Sequence, residues 1–325
     1  MRNEIVVITL VGPGVRGYNL FLDLIASLNH FESGLLSEST LLVVNDNKEQ
    51  LSQMPTHKYG FKAAELIDNP YESKRYTPLF YDKIAAGLIR AFKRVAELHD
   101  HAFVLKIDTD ALVCRPFFDR VSTFLEAHPK AGMVGSFKHD PDGKMRGTEA
   151  WWAKHIKRTC GLFPSELLRF HRENGIPFRF ASVQRWFRRR ALIGRAIRNG
   201  WELGDHVLGG ACVFSPKVIQ ALRTEHACTD PFLFEATRVS DDVGISIMTA
   251  AMGFELAEFN RNGEVFGVWY EQPTFLADVL KENGYCFVHS IKSKDQAEEE
   301  ALRNEMAQKF GIPLQLRRSV AKTAL

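Results

Sequence analysis

The chain has 325 residues and nearly balanced charge, with 42 lysines and arginines against 39 aspartates and glutamates. Its 45% hydrophobic and 25% charged residues are typical of a globular protein, which excludes disordered, collagen-like and coiled-coil chains. A net charge of +3 does not indicate a nucleic-acid-binding protein, and no segment approaches the roughly 20 apolar residues of a membrane span. Five scattered cysteines without a C-x-x-C pair favour a reducing compartment, so we expect a cytoplasmic, bacterial protein.

Strand and helix patterns alternate over the first 137 residues. The predicted strands are Glu4–Val11, Thr40–Val44, Ala102–Ile107 and Gly132–Phe137, and the predicted helices are Asn19–Asn29, Asp82–Leu98 and Phe117–His128. Such alternation predicts an α/β fold with a doubly wound sheet.

The composition changes at Lys138, where tryptophans and arginines accumulate and the periodicity becomes irregular. We interpret residues 138–204 as a helical, basic insertion, after which sheet-like sequence returns at His206–Ser215. The later predicted elements are helices at Pro216–Thr224, Val243–Met252 and Asp295–Phe310 and strands at Val265–Val268 and Tyr285–Val288. The sequence thus divides into residues 1–137, 138–204, 205–292 and a C-terminal helix with a loose tail, 293–325.

Two carboxylates, Asp108 and Asp110, directly follow the buried strand in FVLKIDTDALV. Ligands of open α/β sheets bind at the carboxyl ends of the strands, and a divalent cation would offset the repulsion between two close carboxylates. The alternative is a turn with two solvated aspartates.

Three further motifs carry polar or flexible residues next to predicted elements. Asp241 and Asp242 precede a helix, where one carboxylate suffices as a cap and the other could act as a general base. His289 and Lys292 follow an apolar strand, and they suit a metal ligand and a phosphate-binding cation, respectively. Gly209 and Gly210 precede another predicted strand. Without side chains, they allow a ligand to approach the backbone closely, or they form a β-bulge.

Taken together, FVLKIDTDALV, LGGACVFSPKVI, SDDVGISIMTAAMG and FVHSIK resemble, in this order, the metal-dependent GT-A glycosyltransferases. The Fringe and β-1,3-galactosyltransferase-like group is the most similar one. The resemblance covers about residues 1–137 and 205–292. It implies a GT-A fold, which is a Rossmann-like, doubly wound mixed sheet, here with a helical insertion.

The resemblance also implies roles for individual residues. Asp108, Asp110 and His289 would bind Mn²⁺ or Mg²⁺, with Asp110 as the most direct ligand. Asp242 would be the catalytic base, and Asp241 its acidic neighbour and a candidate helix cap. The residues implied to contact the nucleotide sugar are Asp46, Lys83, Asp108, Gly209, Gly210 and Lys292.

The activity implied is that of a hexosyltransferase, which moves a sugar from a nucleotide-diphosphate sugar, such as a UDP-sugar, to an acceptor hydroxyl with inversion. The acceptor would be a saccharide or a lipid-linked saccharide in bacterial surface-glycan synthesis. A retaining transferase, a haloacid-dehalogenase-like phosphatase and a non-catalytic scaffold remain alternatives. So does an NAD(P)-dependent enzyme, because Gly12–Gly17 matches G-x-G-x-x-G between a strand and a helix.

One basic segment, Ser182–Gly200, holds six arginines and no acidic residue, which leaves the rest of the chain at about −3. Tryptophan, phenylalanine and aliphatic residues are interleaved with these arginines. Such a helix can lie on an anionic membrane surface or bind an anionic acceptor. We therefore expect association with the inner membrane surface, with a helix packed on its own domain as the alternative.

Overall fold

A computed structural model describes residues 4–46, 59–73, 80–98, 101–147, 149–160, 164–173, 175, 180–235, 237, 239–270, 273 and 277–314. The first third of the chain forms parallel strands and α-helices. These elements are β1 (Val6–Val11), α1 (Gly14–Leu36), β2 (Thr40–Asn45), β3 (Ala63–Asp68), α2 (Phe80–Val95) and β4 (Val104–Ile107). Both β2 and β4 pair in parallel with β1, and β3 pairs in parallel with β2.

The middle of the chain contains a run of helices. The elements that follow β4 are β5 (Leu112–Val113), α3 (Phe118–Ala127), β6 (Ala131–Gly135), α4 (Glu149–Cys160), α5 (Pro164–Glu173) and α6 (Phe180–Arg198). The last part returns to the sheet with β7 (Ala211–Phe214), α7 (Pro216–Thr224), α8 (Asp241–Ala251), β8 (Glu255–Glu258), β9 (Phe266–Val268), α9 (Ala277–Glu282), β10 (Phe287–His289) and α10 (Gln296–Phe310).

Seven of the described strands form the main sheet, in the order β3-β2-β1-β4-β7-β6-β8. Strand β7 is antiparallel to both of its neighbours, β4 and β6, whereas β6 and β8 are parallel. Because of this reversal, the residues that precede β7 lie at the same edge of the sheet as the residues that follow β4. A small second sheet has the order β5-β10-β9.

The inner strands of the main sheet are buried on both faces because they are apolar at almost every position. In β1, Val6 and Ile8 pack into one apolar cluster, while Val7 and Val11 pack into a cluster on the opposite face. Trp152 and Ile193 of the helical segment join the first cluster. The segment that the sequence marks as an insertion therefore packs on the sheet through shared core residues.

The predicted fold class, a doubly wound mixed α/β sheet with a helical insertion, is confirmed. Strands β3 and β8 escape the sequence analysis because they are edge strands with mostly exposed or half-buried residues and lack a continuous apolar run. The helix predicted over Asn19–Asn29 is longer, since α1 starts in the glycine-rich loop and continues past a kink at Glu32. The predicted loose tail, Arg317–Leu325, lies outside the described residues.

The basic segment forms α6, which packs on the rest of the protein through buried residues such as Trp186 and Ile193. Arg189 is buried and donates to the carbonyl of Leu233 at 2.7 Å, and Arg185 pairs with Glu235 at 2.6 Å. Part of the helix thus makes internal contacts, as the alternative of a helix packed on its own domain predicts, and association with a membrane surface stays a prediction. None of the helices in the described ranges is long and apolar enough to cross a bilayer.

Candidate active site

A cavity of about 390 Å³ lies at the edge of the main sheet where β1, β2 and β4 end and where β7 begins. Each of these elements contributes polar or glycine residues to its wall. The predicted site residues that line the cavity are Asp46, Asp108, Asp110, Gly209, Gly210, Asp241, Asp242, His289 and Lys292. Of the predicted set, only Lys83 is not part of the wall, and it contacts Asp46. The cavity volume falls in the range of small-molecule binding sites.

Three of these residues form a group that could hold a metal ion. Ligand atoms of Asp108, Asp110 and His289 all lie within 4.8 Å of one another. Two carboxylates and an imidazole are a donor set for Mn²⁺ or Mg²⁺, in which oxygen ligands dominate. Two strand ends supply the group: the two aspartates follow β4, and the histidine ends β10.

The orientation of His289 fits a metal ligand. Its Nδ1 atom lies 3.1 Å from the backbone oxygen of Trp269, and Nδ1 must donate because a carbonyl only accepts. The other ring nitrogen, Nε2, then faces Oδ1 of Asp110 at 3.2 Å. Two acceptors at this distance require a shared proton or a cation between them. Metal-bound histidines use their second nitrogen in this way, as donor to a carbonyl or carboxylate.

Asp110 is held as a carboxylate by its neighbours. Its side chain is 14% exposed, and Oδ2 lies 2.9 Å from Nζ of Lys292. Burial would raise the pKa of Asp110, but His289 and Lys292 together hold that pKa well below its usual range. The hydroxyl of Ser290 also donates to Oδ2, at 3.3 Å. Asp110 therefore offers a negative charge to a cation throughout the neutral pH range.

A buried lysine that the sequence analysis did not single out balances the other carboxylates. Lys106 lies in β4, its side chain is 2% exposed, and Nζ donates to Asp108 Oδ1 at 2.7 Å and to the carbonyl of Gly209. Asp241 Oδ2 is 3.4 Å away. Burial lowers the pKa of Lys106, but Asp108 and Asp241 outweigh this effect and raise it above the ordinary value. The side chain thus remains a charged ammonium between two acidic segments.

The two carboxylates at the start of α8 make different contacts from those expected, since Asp241 was the candidate helix cap. Oδ1 of Asp242 accepts from the Val243 backbone N–H at 2.8 Å and from the Ser240 hydroxyl, so Asp242, and not Asp241, makes the helix N-terminal contacts. Burial raises the pKa of Asp241 to about 6, an effect that Lys106 opposes and Asp242 reinforces. Asp241 is therefore the carboxylate whose pKa lies close to neutral pH.

The two predicted glycines allow close packing at the floor of the cavity. A Cβ atom on Gly210 would overlap the imidazole ring of His289, and one on Gly209 would stand 3.1 Å from Nζ of Lys106. In addition, the Gly210 carbonyl accepts from the backbone N–H of Asp108 at 2.9 Å. The absence of side chains here gives His289 and Lys106 the space that they occupy.

The two weaker nucleotide candidates, Asp46 and Lys83, contact each other. Nζ of Lys83 in α2 lies 3.0 Å from Oδ2 of Asp46, which follows β2 and lines the cavity. Lys83 therefore lies directly behind Asp46 without lining the cavity itself. Their contact with a nucleotide stays a prediction.

Several wall residues were not singled out by the sequence analysis, although Arg16 lies inside the G-x-G-x-x-G match at Gly12–Gly17. Arg16 in the glycine-rich loop lines the cavity and makes two hydrogen bonds to Glu299 of α10, at 3.0 and 2.6 Å. Aromatic residues supply another part of the wall: Trp152 from α4, together with Trp269 and Tyr270 after β9. A signal did exist for Lys106, because a lysine two residues before Asp108 in an apolar strand shares its face.

No protein-family model matches the chain, and no curated protein is significantly similar to it in sequence. Solved structures do resemble it. A mannosyltransferase from Pyrobaculum calidifontis, in complex with GDP-Man and Mn²⁺, is 11% identical, with a TM-score of 0.41 over 94% of this chain and 63% of that one. The chain thus spans less than two thirds of that mannosyltransferase.

Two other solved structures are similar at the same level. Core-mannan synthase A from Aspergillus fumigatus, in its Mn/GDP form, is 12% identical over 80% of this chain and 73% of that one, with a TM-score of 0.37. The galactosyltransferase LgtC, in complex with donor and acceptor sugar analogues, is 12% identical over 94% and 95%, with a TM-score of 0.45. Similarity at this level does not establish a shared activity, so the function must be inferred from the site residues.

We predict that Gly210→Ala lowers the affinity for Mn²⁺ by about 10-fold or more, because the added methyl group would displace the imidazole of His289. Titration calorimetry with MnCl₂ measures this affinity, and circular dichroism checks the fold. Gly147→Ala is the control, because a Cβ at Gly147 meets no atom within 4 Å. An unchanged affinity in Gly210→Ala would show that the ring position does not matter for metal binding.

Proposed function

We propose that the chain is a metal-dependent GT-A glycosyltransferase, which transfers a hexose from a nucleotide-diphosphate sugar to an acceptor hydroxyl. The observation that carries the proposal is the group of Asp108, Asp110 and His289 on the wall of a nucleotide-sized cavity. Carboxylates at a strand end with a preoriented imidazole are the protein side of a site for a cation and a diphosphate.

The donor half of the cavity is assigned as follows. Asp108, Asp110 and His289 would hold Mn²⁺ or Mg²⁺, which when bound supplies positive charge that stabilises the departing nucleoside diphosphate. Lys292 at the rim is 51% exposed and can contact a phosphate while it stays near Asp110. Asp46, paired with Lys83, is proposed to contact the nucleoside, for which a UDP-sugar is our first candidate.

The acceptor half is assigned to the aromatic wall. Trp152 and Trp269 are buried in the wall of the cavity, whereas Tyr270 is 58% exposed at the rim. Aromatic rings offer large apolar faces together with polar edges, which suit the mixed apolar and hydroxyl surface of a sugar ring. A saccharide or a lipid-linked saccharide is therefore the proposed acceptor, and surface-glycan synthesis in a bacterium is the proposed setting.

In the proposed reaction, the oxygen of an acceptor hydroxyl attacks the anomeric carbon while the bond from that carbon to the diphosphate breaks. The leaving diphosphate keeps the bonding electron pair, and a carboxylate of α8 takes the hydroxyl proton. We assign this base to Asp241, whose pKa of about 6 is suited to proton transfer near neutral pH, in place of Asp242. This single displacement inverts the anomeric configuration, and nuclear magnetic resonance of the product distinguishes it from retention.

The first test of this function is metal-dependent turnover of sugar nucleotides. With a panel of UDP- and GDP-sugars, we expect Mn²⁺ to be required and Asp110→Ala to lose at least roughly 10³-fold in rate, since a Lewis acid contributes several kcal/mol. Asp142→Ala, in an exposed turn, is the control. Full activity of Asp110→Ala in EDTA contradicts the proposal, and turnover of NAD(P) or of phosphate monoesters alone would support the rival enzymes.

A second test concerns the base. Because Asp241 must be ionised to accept a proton, the rate is expected to fall as the pH drops through about 6. We predict that Asp241→Asn lowers kcat by about 10²- to 10⁴-fold and removes this acidic limb, with donor binding retained. Asp242→Asn should keep the limb. Normal turnover of Asp241→Asn beside an inactive Asp242→Asn would restore the assignment made from the sequence.

The proposed location is the cytoplasmic side of a membrane, with α6 as the contact. Phe180 and Phe187 are 77% and 61% exposed and lie seven residues apart, on one face of this helix. Arg198, at the end of the helix, adds exposed positive charge. Exposed aromatic and basic residues on one helix suit the interface of an anionic bilayer.

Co-sedimentation with vesicles tests this location. We predict that the chain binds vesicles rich in anionic lipid at low salt and that the double variant Phe180→Ser and Phe187→Ser binds several-fold less, since both rings leave the interface. Leu66→Ser, a 40% exposed site on the edge strand β3, is the matched control. Equal binding by the double variant and the wild type would show that α6 is not the contact.

A further inference from the structure

The guanidinium of Arg303, in α10, lies at the centre of the contacts between three segments. The side chain is fully buried, and Nε donates to Oδ2 of Asp23 in α1 at 2.8 Å. The other nitrogens donate to backbone carbonyls, of Ile291 at 3.2 Å and of Thr109 and Ala111 at 3.5 Å. Arg303 does not line the cavity.

These carbonyls belong to the two loops that carry the candidate metal ligands. Thr109 stands between Asp108 and Asp110, and Ala111 follows them, whereas Ile291 lies between His289 and Lys292. The loops also contact each other directly, because the backbone N–H of Ile291 donates to the carbonyl of Asp110 at 2.8 Å. One guanidinium therefore joins the carboxylate loop to the histidine loop from behind the site.

We propose that Arg303 is a positioning residue that sets the spacing of the metal-binding carboxylates relative to His289. This inference rests on the proposed function, because it presumes that these residues bind a metal ion. The ligands come from separate parts of the chain, and a site of this kind binds tightly only if its loops are already in place before the ion arrives. Arg303 supplies that constraint without touching substrate or metal.

The geometry requires arginine and not merely a positive charge. The planar guanidinium presents donors in several fixed directions, so that it reaches Asp23 and carbonyls of both loops at once. A lysine at this position would keep the charge near Asp23, but its ammonium could not reproduce the fork. Arg303→Lys is therefore the informative substitution, since it separates the shape of the group from its charge.

The experiment is a titration of the full chain with MnCl₂ alone, by calorimetry and by electron paramagnetic resonance of the bound ion. We expect Arg303→Lys to weaken Mn²⁺ binding by about 10- to 100-fold, which is typical for residues that orient metal ligands. Arg189→Lys is the matched control, because Arg189 is also a buried helix arginine whose guanidinium donates to backbone carbonyls, here of Leu233 and Glu235. Arg189→Lys should bind Mn²⁺ as the wild type does, although we expect both substitutions to lower the urea concentration at the midpoint of unfolding.

Each outcome bears on a different statement. Mn²⁺ affinity in Arg303→Lys equal to that of the wild type, or an equal loss in Arg189→Lys, would overturn the positioning role. If Arg303→Lys does not fold, Asp23→Asn replaces it, because it weakens the anchor of the same guanidinium; an unchanged affinity would then count against the role. A wild-type chain that binds no Mn²⁺ would overturn the metal-dependent function and, with it, the inference.

Discussion

The ammonium of Lys106, buried in β4, is the interaction on which the architecture of the site depends. It lies between Asp108, which follows the same strand, and Asp241, which begins α8. Without a cation in this position, carboxylates from two separate segments would repel each other in a region with little water. The sheet can therefore bring acidic residues from distant parts of the chain to one edge.

Sequence patterns predict the parts of this protein that are dictated by local physics. The apolar strands and the placement of Asp108 and His289 at strand ends follow from hydrophobic runs and the residues that terminate them. The edge strands and the contacts of Arg303 do not, because they depend on which segments meet in space. The different contacts of Asp241 and Asp242 could not be predicted for a similar reason, because Asp241 lies beside Lys106, which is 135 residues away in the chain.

The C-terminal helix α10 illustrates how a segment without a motif can matter. By sequence it is only a charged helix, yet Glu299 and Arg303, one turn apart, are both buried. Glu299 accepts hydrogen bonds from Arg16 in the glycine-rich loop, while Arg303 donates to the loops that carry the candidate metal ligands. Buried charges are retained when they are fully paired, since an unpaired one is strongly destabilising. The helix thus contacts two parts of the cavity wall that are far apart in the chain.

The reversed direction of β7 has a consequence for how such a protein can diversify. The chain leaves the sheet after β6 and returns through Gly209 and Gly210 at the cavity edge, so the whole helical segment between them both departs from and rejoins the same rim. Trp152 of this segment lines the cavity, while the candidate metal ligands Asp108, Asp110 and His289 come from other segments. Changes in the part of this segment that faces the cavity would therefore alter the outer wall, while the strand ends that carry Asp108, Asp110 and His289 would keep their places, provided that core residues such as Ile156 and Ile193 still pack on the sheet.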